Sequence, residues 1–190
     1  LAAYVRVLRK ENPGRLLWLD GGAELQGTLE SNLGQGAPTI QFFNAAGLNA
    51  AALGNHEFDF DRPALQSRMS ESTYPWLSAN TTAAGGGAAP LPLLKPSVML
   101  EAGGLKVGVI GLSTLDTPKT TRPEFVRGVE FTDLKAATLR EAKKLRSDGA
   151  TAIILLAHVG LFCERGRAVT SSTIRKPTDP MWASGIAAGF

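Results

Sequence analysis

One cysteine, Cys163, is all the thiol these 190 residues contain, so no internal disulfide can staple the fold and the redox compartment stays open. Histidine is equally scarce, with His56 and His158 the only two. No apolar run approaches the roughly 20 residues that span a bilayer, and no charged-then-apolar leader opens the chain. Neither sign of charge dominates: 20 basic residues face 17 acidic ones for a net +3, which suits an anionic substrate without demanding one. No basic run is interleaved with aromatics, so a nucleic-acid polymer is not an expected partner. The first residue is Leu1 rather than methionine, and the expectation is a piece of a longer protein, from which a lost signal peptide would leave no trace. What remains is the composition of a globular domain, 44% hydrophobic and 19% charged, long enough to bury one real core.

Along the chain, apolar runs alternate with helical periodicity. Residues 1–12 read as a helix with Leu1, Tyr4, Val5 and Leu8 on one face, stopped by Pro13 and Gly14. Leu16, Leu17, Trp18 and Leu19 form a short buried-type strand that ends in Asp20, Gly21 and Gly22. A helix over 38–46, a strand over 50–53, a helix over 63–72 and a strand over 76–80 follow. Residues 81–92 hold Gly85, Gly86 and Gly87 among alanines and prolines and read as a low-complexity loop. Residues 98–101 and 105–112 suggest a hairpin around Gly103 and Gly104. Thr132 can cap a helix over 133–147, with Leu134, Thr138, Ala142 and Leu145 on its inner face, before a strand over 151–157. The alternation predicts an α/β layered sheet with its site at the strand ends. Residues 1–163 are expected to form one domain. Residues 164–190 are expected to be an irregular or disordered tail, the alternative there being a docking helix over 180–186.

The chemistry concentrates in Gly54-Asn55-His56-Glu57-Phe58-Asp59, where an apolar strand gives way to a glycine and a row of polar groups. Gly54 permits a tight turn, Asn55 offers a neutral oxygen ligand, and His56 offers a general acid or a metal nitrogen. Asp59, three residues on, can orient the His56 imidazole if the segment turns helically. A polar loop in which His56 is merely hydrogen-bonded is the plain alternative. His158, closing the apolar run 154–157 ahead of Val159 and Gly160, is open to the same two readings: structural, or a ligand.

The string 54–59 closely resembles the third motif of the calcineurin-like metallophosphoesterases, in the form used by the 5'-nucleotidase family. That family builds its site from Asp-x-His, Gly-Asp, Gly-Asn-His-Glu, His-x-Gly and Gly-His-x-His motifs. The resemblance makes Asn55 a metal ligand, His56 the catalytic histidine and Asp59 its partner. His158-Val159-Gly160 matches the His-x-Gly motif, with His158 at the metal-ligand position. Gln26-Gly27-Thr28, Leu77-Ser78-Ala79-Asn80, the strand 107–112 and the loop 117–123 are also similar to the family. The threonines and arginine of that loop could touch phosphate or simply bond to their own backbone.

The fold implied is a calcineurin-like metallophosphoesterase layered sheet sandwich flanked by helices, here incomplete. The activity implied is hydrolysis of phosphate monoesters, nucleotides or related metabolites, by water activated on a pair of divalent ions such as zinc or manganese. The family setting implies an extracellular, periplasmic or membrane-anchored protein whose nucleoside-binding C-terminal domain is absent from these residues. The sequence also departs from the family pattern. Asp-x-His would fall before Leu1, and Gly-His-x-His would fall after Gly160, where no histidine exists. Ala23 stands where the family has its bridging aspartate; Asp20 lies too early and Glu24 one residue too late to replace it. The expectation is a metallophosphoesterase fold whose dinuclear centre does not form in this chain. Its alternative is a non-catalytic binding domain or a decayed remnant.

Overall fold

Short parallel strands that are buried on both faces need helices on one side and a second layer on the other, and the chain provides both. In the computed structural model, which describes residues 1–160, helix α1 (Ala2–Glu11) leads to strand β1 (Leu19–Asp20). Helices α2 (Leu29–Leu33) and α3 (Ala37–Ala46) then precede β2 (Ala50–Ala52), and a 3-10 turn at His56–Phe58 precedes α4 (Arg62–Glu71). Strands β3 (Trp76–Leu77), β4 (Thr81–Ala83), β5 (Leu94–Lys95), β6 (Ser97–Ala102) and β7 (Leu105–Ser113) follow. The short helix α5 (Thr117–Thr120), β8 (Val129–Phe131), α6 (Leu134–Ser147) and β9 (Ala152–His158) complete the described chain. The tail expected over 164–190, its alternative helix and the domain boundary at 163 lie outside the described residues.

Strands β1, β2, β3 and β5 form one parallel sheet in that order. A second sheet is ordered β6-β7-β9, antiparallel then parallel, and carries the hairpin expected around Gly103 and Gly104. Ala50, Leu77, Val107 and Val109 pack between the two layers with Leu17, Leu19, Ile154 and Leu156. The layers come close at Gly111, where a Cβ would lie 2.2 Å from the Leu77 carbonyl oxygen, so only glycine fits. On its other face the first sheet is covered by Ile40 and Phe43 of α3 and by Leu65 and Met69 of α4, around Phe58 and Trp76. Leu1–His158 forms one compact unit.

Several local expectations change. Residues 81–83 are not loop: they form β4, which pairs antiparallel with β8, because Thr81 and Thr82 are β-branched and the glycines begin only at Gly85. Helix α6 is capped by the Asp133 carboxylate, which accepts from the Ala136 amide at 2.7 Å, while Thr132 donates to the Asn80 carbonyl instead. Its buried residues are Ala137, Glu141 and Leu145; of the expected stripe Leu145 is buried, while Leu134, Thr138 and Ala142 flank the buried face half-buried. On α1 only Val5 is buried, and Leu1 and Tyr4 face outward. That helix is held to α3 by Arg9, whose guanidinium donates to the terminal carbonyls of Ala46 and Gly47.

Candidate active site

Three strand ends meet: β1 running into 21–24, β2 running into 54–56, and β9 ending at His158. Parallel register puts them on the same side of their sheets, since Leu19 pairs with Ala50 and Ser113 with His158. His158 closes the gap between the layers. Its Nδ1 donates to the Gly21 carbonyl at 3.0 Å, and its Nε2 lies 2.9 Å from Asn55 Oδ1.

The turn at 54–59 is built by Glu57. Its side chain is fully buried and accepts from the backbone amides of Ala23, Glu24, Leu25 and Gly54, tying the loop after β1 to the loop after β2. Burial pushes its carboxyl pKa up, and the amide donors pull against that. Gly54 is needed for space rather than for an unusual backbone angle: a Cβ there would lie 2.6 Å from Glu57 Oε2 and 2.8 Å from the Ala23 nitrogen. Gly22 is confined in the same way, 2.9 Å from the Ala52 carbonyl oxygen, and also has φ +95°.

His56 and Asp59 form the expected pair, Nδ1 to Oδ2 at 2.6 Å, because the 3-10 turn brings positions three apart together. The His56 side chain is 42% exposed, so its remaining nitrogen can meet a ligand. The other Asp59 oxygen accepts from the Thr121 hydroxyl at 2.9 Å, a contact that pattern reading does not single out. Within the same loop, Thr117 and Thr120 do bond to local backbone, at Thr114 and Asp116.

The two carboxylates that flank Ala23 are both engaged elsewhere. Asp20 Oδ1 accepts from the Gly22 amide at 2.8 Å, in a turn of its own; burial raises its pKa against that bond and the nearby His158. Glu24 points into the core, where Tyr74 donates to its Oε2 at 2.7 Å and Oε1 has no partner among the described residues. Burial pushes the Glu24 carboxyl up to about 9, with Asp20 and Glu57 adding to the rise. Ala23 itself holds φ +66°, in the left-handed region where aspartate and asparagine are tolerated better than alanine.

Among the described residues, no group of three or more His, Cys, Asp or Glu side chains could hold a metal ion, so a two-cation centre does not fit this donor set. A single cation fits better. With Nδ1–H committed to Gly21, the Nε2 lone pair faces the Asn55 oxygen at 2.9 Å, close to the spacing of two ligands on one ion with bonds of about 2.1 Å.

The architecture defines a class, the calcineurin-like phosphoesterase domain. A calcineurin-like phosphoesterase from Bacillus subtilis superposes with a TM-score of 0.72 over 85% of this chain and 53% of its own, at 24% identity, which bears on the fold alone. The structure of a 5'-nucleotidase precursor from Thermus thermophilus matches at 30% identity and a TM-score of 0.75, over 84% of this chain and 31% of that one. In sequence, a snake venom 5'-nucleotidase from Gloydius brevicauda is 35% identical over 163 residues, 85% of this chain and 27% of its own length. The 5'-nucleotidase of Mus musculus is 36% identical over 162 residues, 84% of this chain and 28% of its own. No model of a known protein family matches. The chain belongs to the 5'-nucleotidase family, and it spans under a third of the length of these relatives.

Proposed function

We propose that this chain is the phosphoryl-binding part of a phosphomonoester hydrolase of the 5'-nucleotidase type, and that with Ala23 in place it does not itself turn substrate over. The observation that carries the reading is the approach of His158 Nε2 to Asn55 Oδ1 beside the paired His56 and Asp59. Asp59 fixes the His56 ring through Nδ1, so the second ring nitrogen is aimed outward to a phosphoryl or leaving-group oxygen. Asn55 and His158 would hold one divalent cation, zinc or manganese by family, which polarises a phosphoryl oxygen when bound. A second cation would lack its bridging ligand, because by family resemblance that carboxylate is replaced by the Ala23 methyl, and Asp20 and Glu24 are engaged with the Gly22 amide and Tyr74.

A non-catalytic binding domain is the second reading, favoured by that same alanine. Calorimetric titration with manganese and an AMP hydrolysis assay test the inactive reading, and titration with inorganic phosphate followed by NMR separates the two readings. The expected result is at most one weak equivalent of metal and hydrolysis at background. Two tight equivalents per chain, or metal-dependent release of phosphate from AMP, would overturn the inactive reading. Inorganic phosphate that left the His56 ring signals unmoved in NMR would favour the non-catalytic one.

A further inference from the structure

The Thr121 hydroxyl donates to Asp59 Oδ1 at 2.9 Å, while Asp59 Oδ2 holds His56 Nδ1 at 2.6 Å. One carboxylate thus joins a threonine of the loop after β7 to the histidine of the loop after β2. We propose that Thr121 is a positioning residue for His56: by fixing the Asp59 carboxylate, it keeps the ring in the Nδ1–H tautomer with Nε2 turned to the site. The inference rests on the phosphoryl-binding reading above, in which His56 Nε2 meets the substrate.

An ionised carboxylate only accepts, so both of its partners must donate. Thr121 gives its hydroxyl proton and the imidazole gives the proton on Nδ1, which leaves Nε2 as the nitrogen that exchanges a proton with a ligand. A single contact at Oδ2 would set a distance and leave the carboxylate free to tilt about its Cβ–Cγ bond. A second donor on the opposite oxygen fixes the carboxylate plane, and with it the ring. Packing alone does not do this, because the His56 side chain is 42% exposed and that of Asp59 22%.

The Thr121 hydroxyl is itself held in place. Helix α5 hangs on Thr117, which is fully buried and donates from both its amide and its hydroxyl to the Thr114 carbonyl. The Thr121 amide in turn donates to the Thr117 carbonyl at 3.2 Å. These bonds, with that of the Thr120 hydroxyl to the Asp116 carbonyl, already close the loop, so the Thr121 hydroxyl is not needed to shape it. Thr114 directly follows Ser113, the β7 partner of His158. The end of β7 therefore places both histidines, His158 across the ladder and His56 through Thr121 and Asp59.

Two measurements on the full chain test this. One is imidazole 15N NMR without ligand at about pH 8, where an ordinary imidazole is neutral; the other is titration with inorganic phosphate. Thr121→Val keeps the side-chain shape and suits the extended backbone there, φ −132° and ψ −175°. It should turn the His56 Nδ1–H tautomer into a mixture and weaken phosphate about fivefold, the equivalent of one hydrogen bond lost. Thr121→Ala replaces it if the valine variant fails to fold. Thr121→Ser keeps the hydroxyl and should retain the parent tautomer and affinity. Thr120→Val loses a hydroxyl bonded only to local carbonyls and should change neither. An unmixed tautomer or unchanged phosphate affinity in Thr121→Val, or a serine variant that behaves like valine, would reduce the contact to a staple for the loop and leave the phosphoryl-binding reading standing. If phosphate does not move the His56 signals in the parent, that reading fails, and the ligand-free tautomers still decide whether Thr121 positions the ring.

Discussion

At the scale of single residues, the site is governed by carboxylates that contact no substrate. Glu57 satisfies four backbone amides from two loops, and no neighbouring side chain could replace it. Glu57→Gln keeps the shape but turns one acceptor oxygen into a donor that faces amide N–H groups. The expected loss is about 2–4 kcal/mol, because buried donors left unmade cost about 1–3 kcal/mol each. An unfolding free energy from urea titration within about 0.5 kcal/mol of the parent would show that the loops hold without it. Glu24 supplies a pH dependence. Its carboxyl pKa rises from 4.5 in the unfolded reference to about 9 in the fold, chiefly through burial, so the folded state keeps a proton that the unfolded chain releases. The stability it contributes is full below about 4.5, declines as pH rises above that, and is exhausted near 9. Thermal melting should therefore fall between about pH 6 and 9, and Glu24→Gln should flatten the decline. An identical slope in the variant would assign the pH dependence elsewhere.

At the scale of elements, a knot of small polar side chains holds the strand ends in register. Ser113, last residue of β7 and partner of His158, donates to the Leu53 carbonyl just before Gly54. Its amide donates to Asn80 Oδ1 at 2.8 Å, and Asn80 Nδ2 returns a bond to the Ser113 carbonyl at 2.9 Å. Ser113→Ala should cost about 1–3 kcal/mol and shift the His158 ring signals in NMR, since the residue ties both sheets to the site. A stable variant with unmoved His158 signals would make the knot incidental. The legibility of the elements follows from what each depends on. Strands β2, β7 and β9, the helices α3 and α4 and the hairpin are readable, because apolar runs and punctuating glycines and prolines set them locally. The pairing of β4 with β8 is not, because it joins residues about fifty apart and only β-branching at Thr81 and Thr82 hints at it. The inner face of α6 is read correctly at Leu145 and one step off elsewhere, because Glu141, a carboxylate bonded to Ser97, occupies a buried position that apolar periodicity assigns to a hydrophobe. Asn55, His56, Asp59 and His158 are legible as a motif, and the structure brings Asn55 to His158 and His56 to Asp59. The clamp by Glu57 and the link from Thr121 to Asp59 are not, since both are long-range contacts.

For the molecule as a whole, the question is whether the strand ends need a cation to stay together. Like charges converging on a pair of metal ions would fly apart without them, and such a fold would melt on chelation. Here the convergence is held by protein groups: Glu57 on four amides, His158 on the Gly21 carbonyl, and Ser113 on the Leu53 carbonyl. A ligand that binds only the folded state stabilises it by about 0.4 kcal/mol when its concentration equals Kd, and by about 2.7 kcal/mol at a hundredfold excess. For a chain of this size about 1 kcal/mol moves the melting temperature by roughly 2–4 °C. Two tightly held ions would then add about 5 kcal/mol, and their removal would lower melting by more than about 10 °C. One ion held weakly by a neutral amide and an imidazole predicts a shift of about 2 °C or less. Melting the purified chain with and without a strong chelator measures this directly. A drop of about 10 °C would mean that cations hold the strand ends together, and that donors beyond Asn55 and His158 reach them.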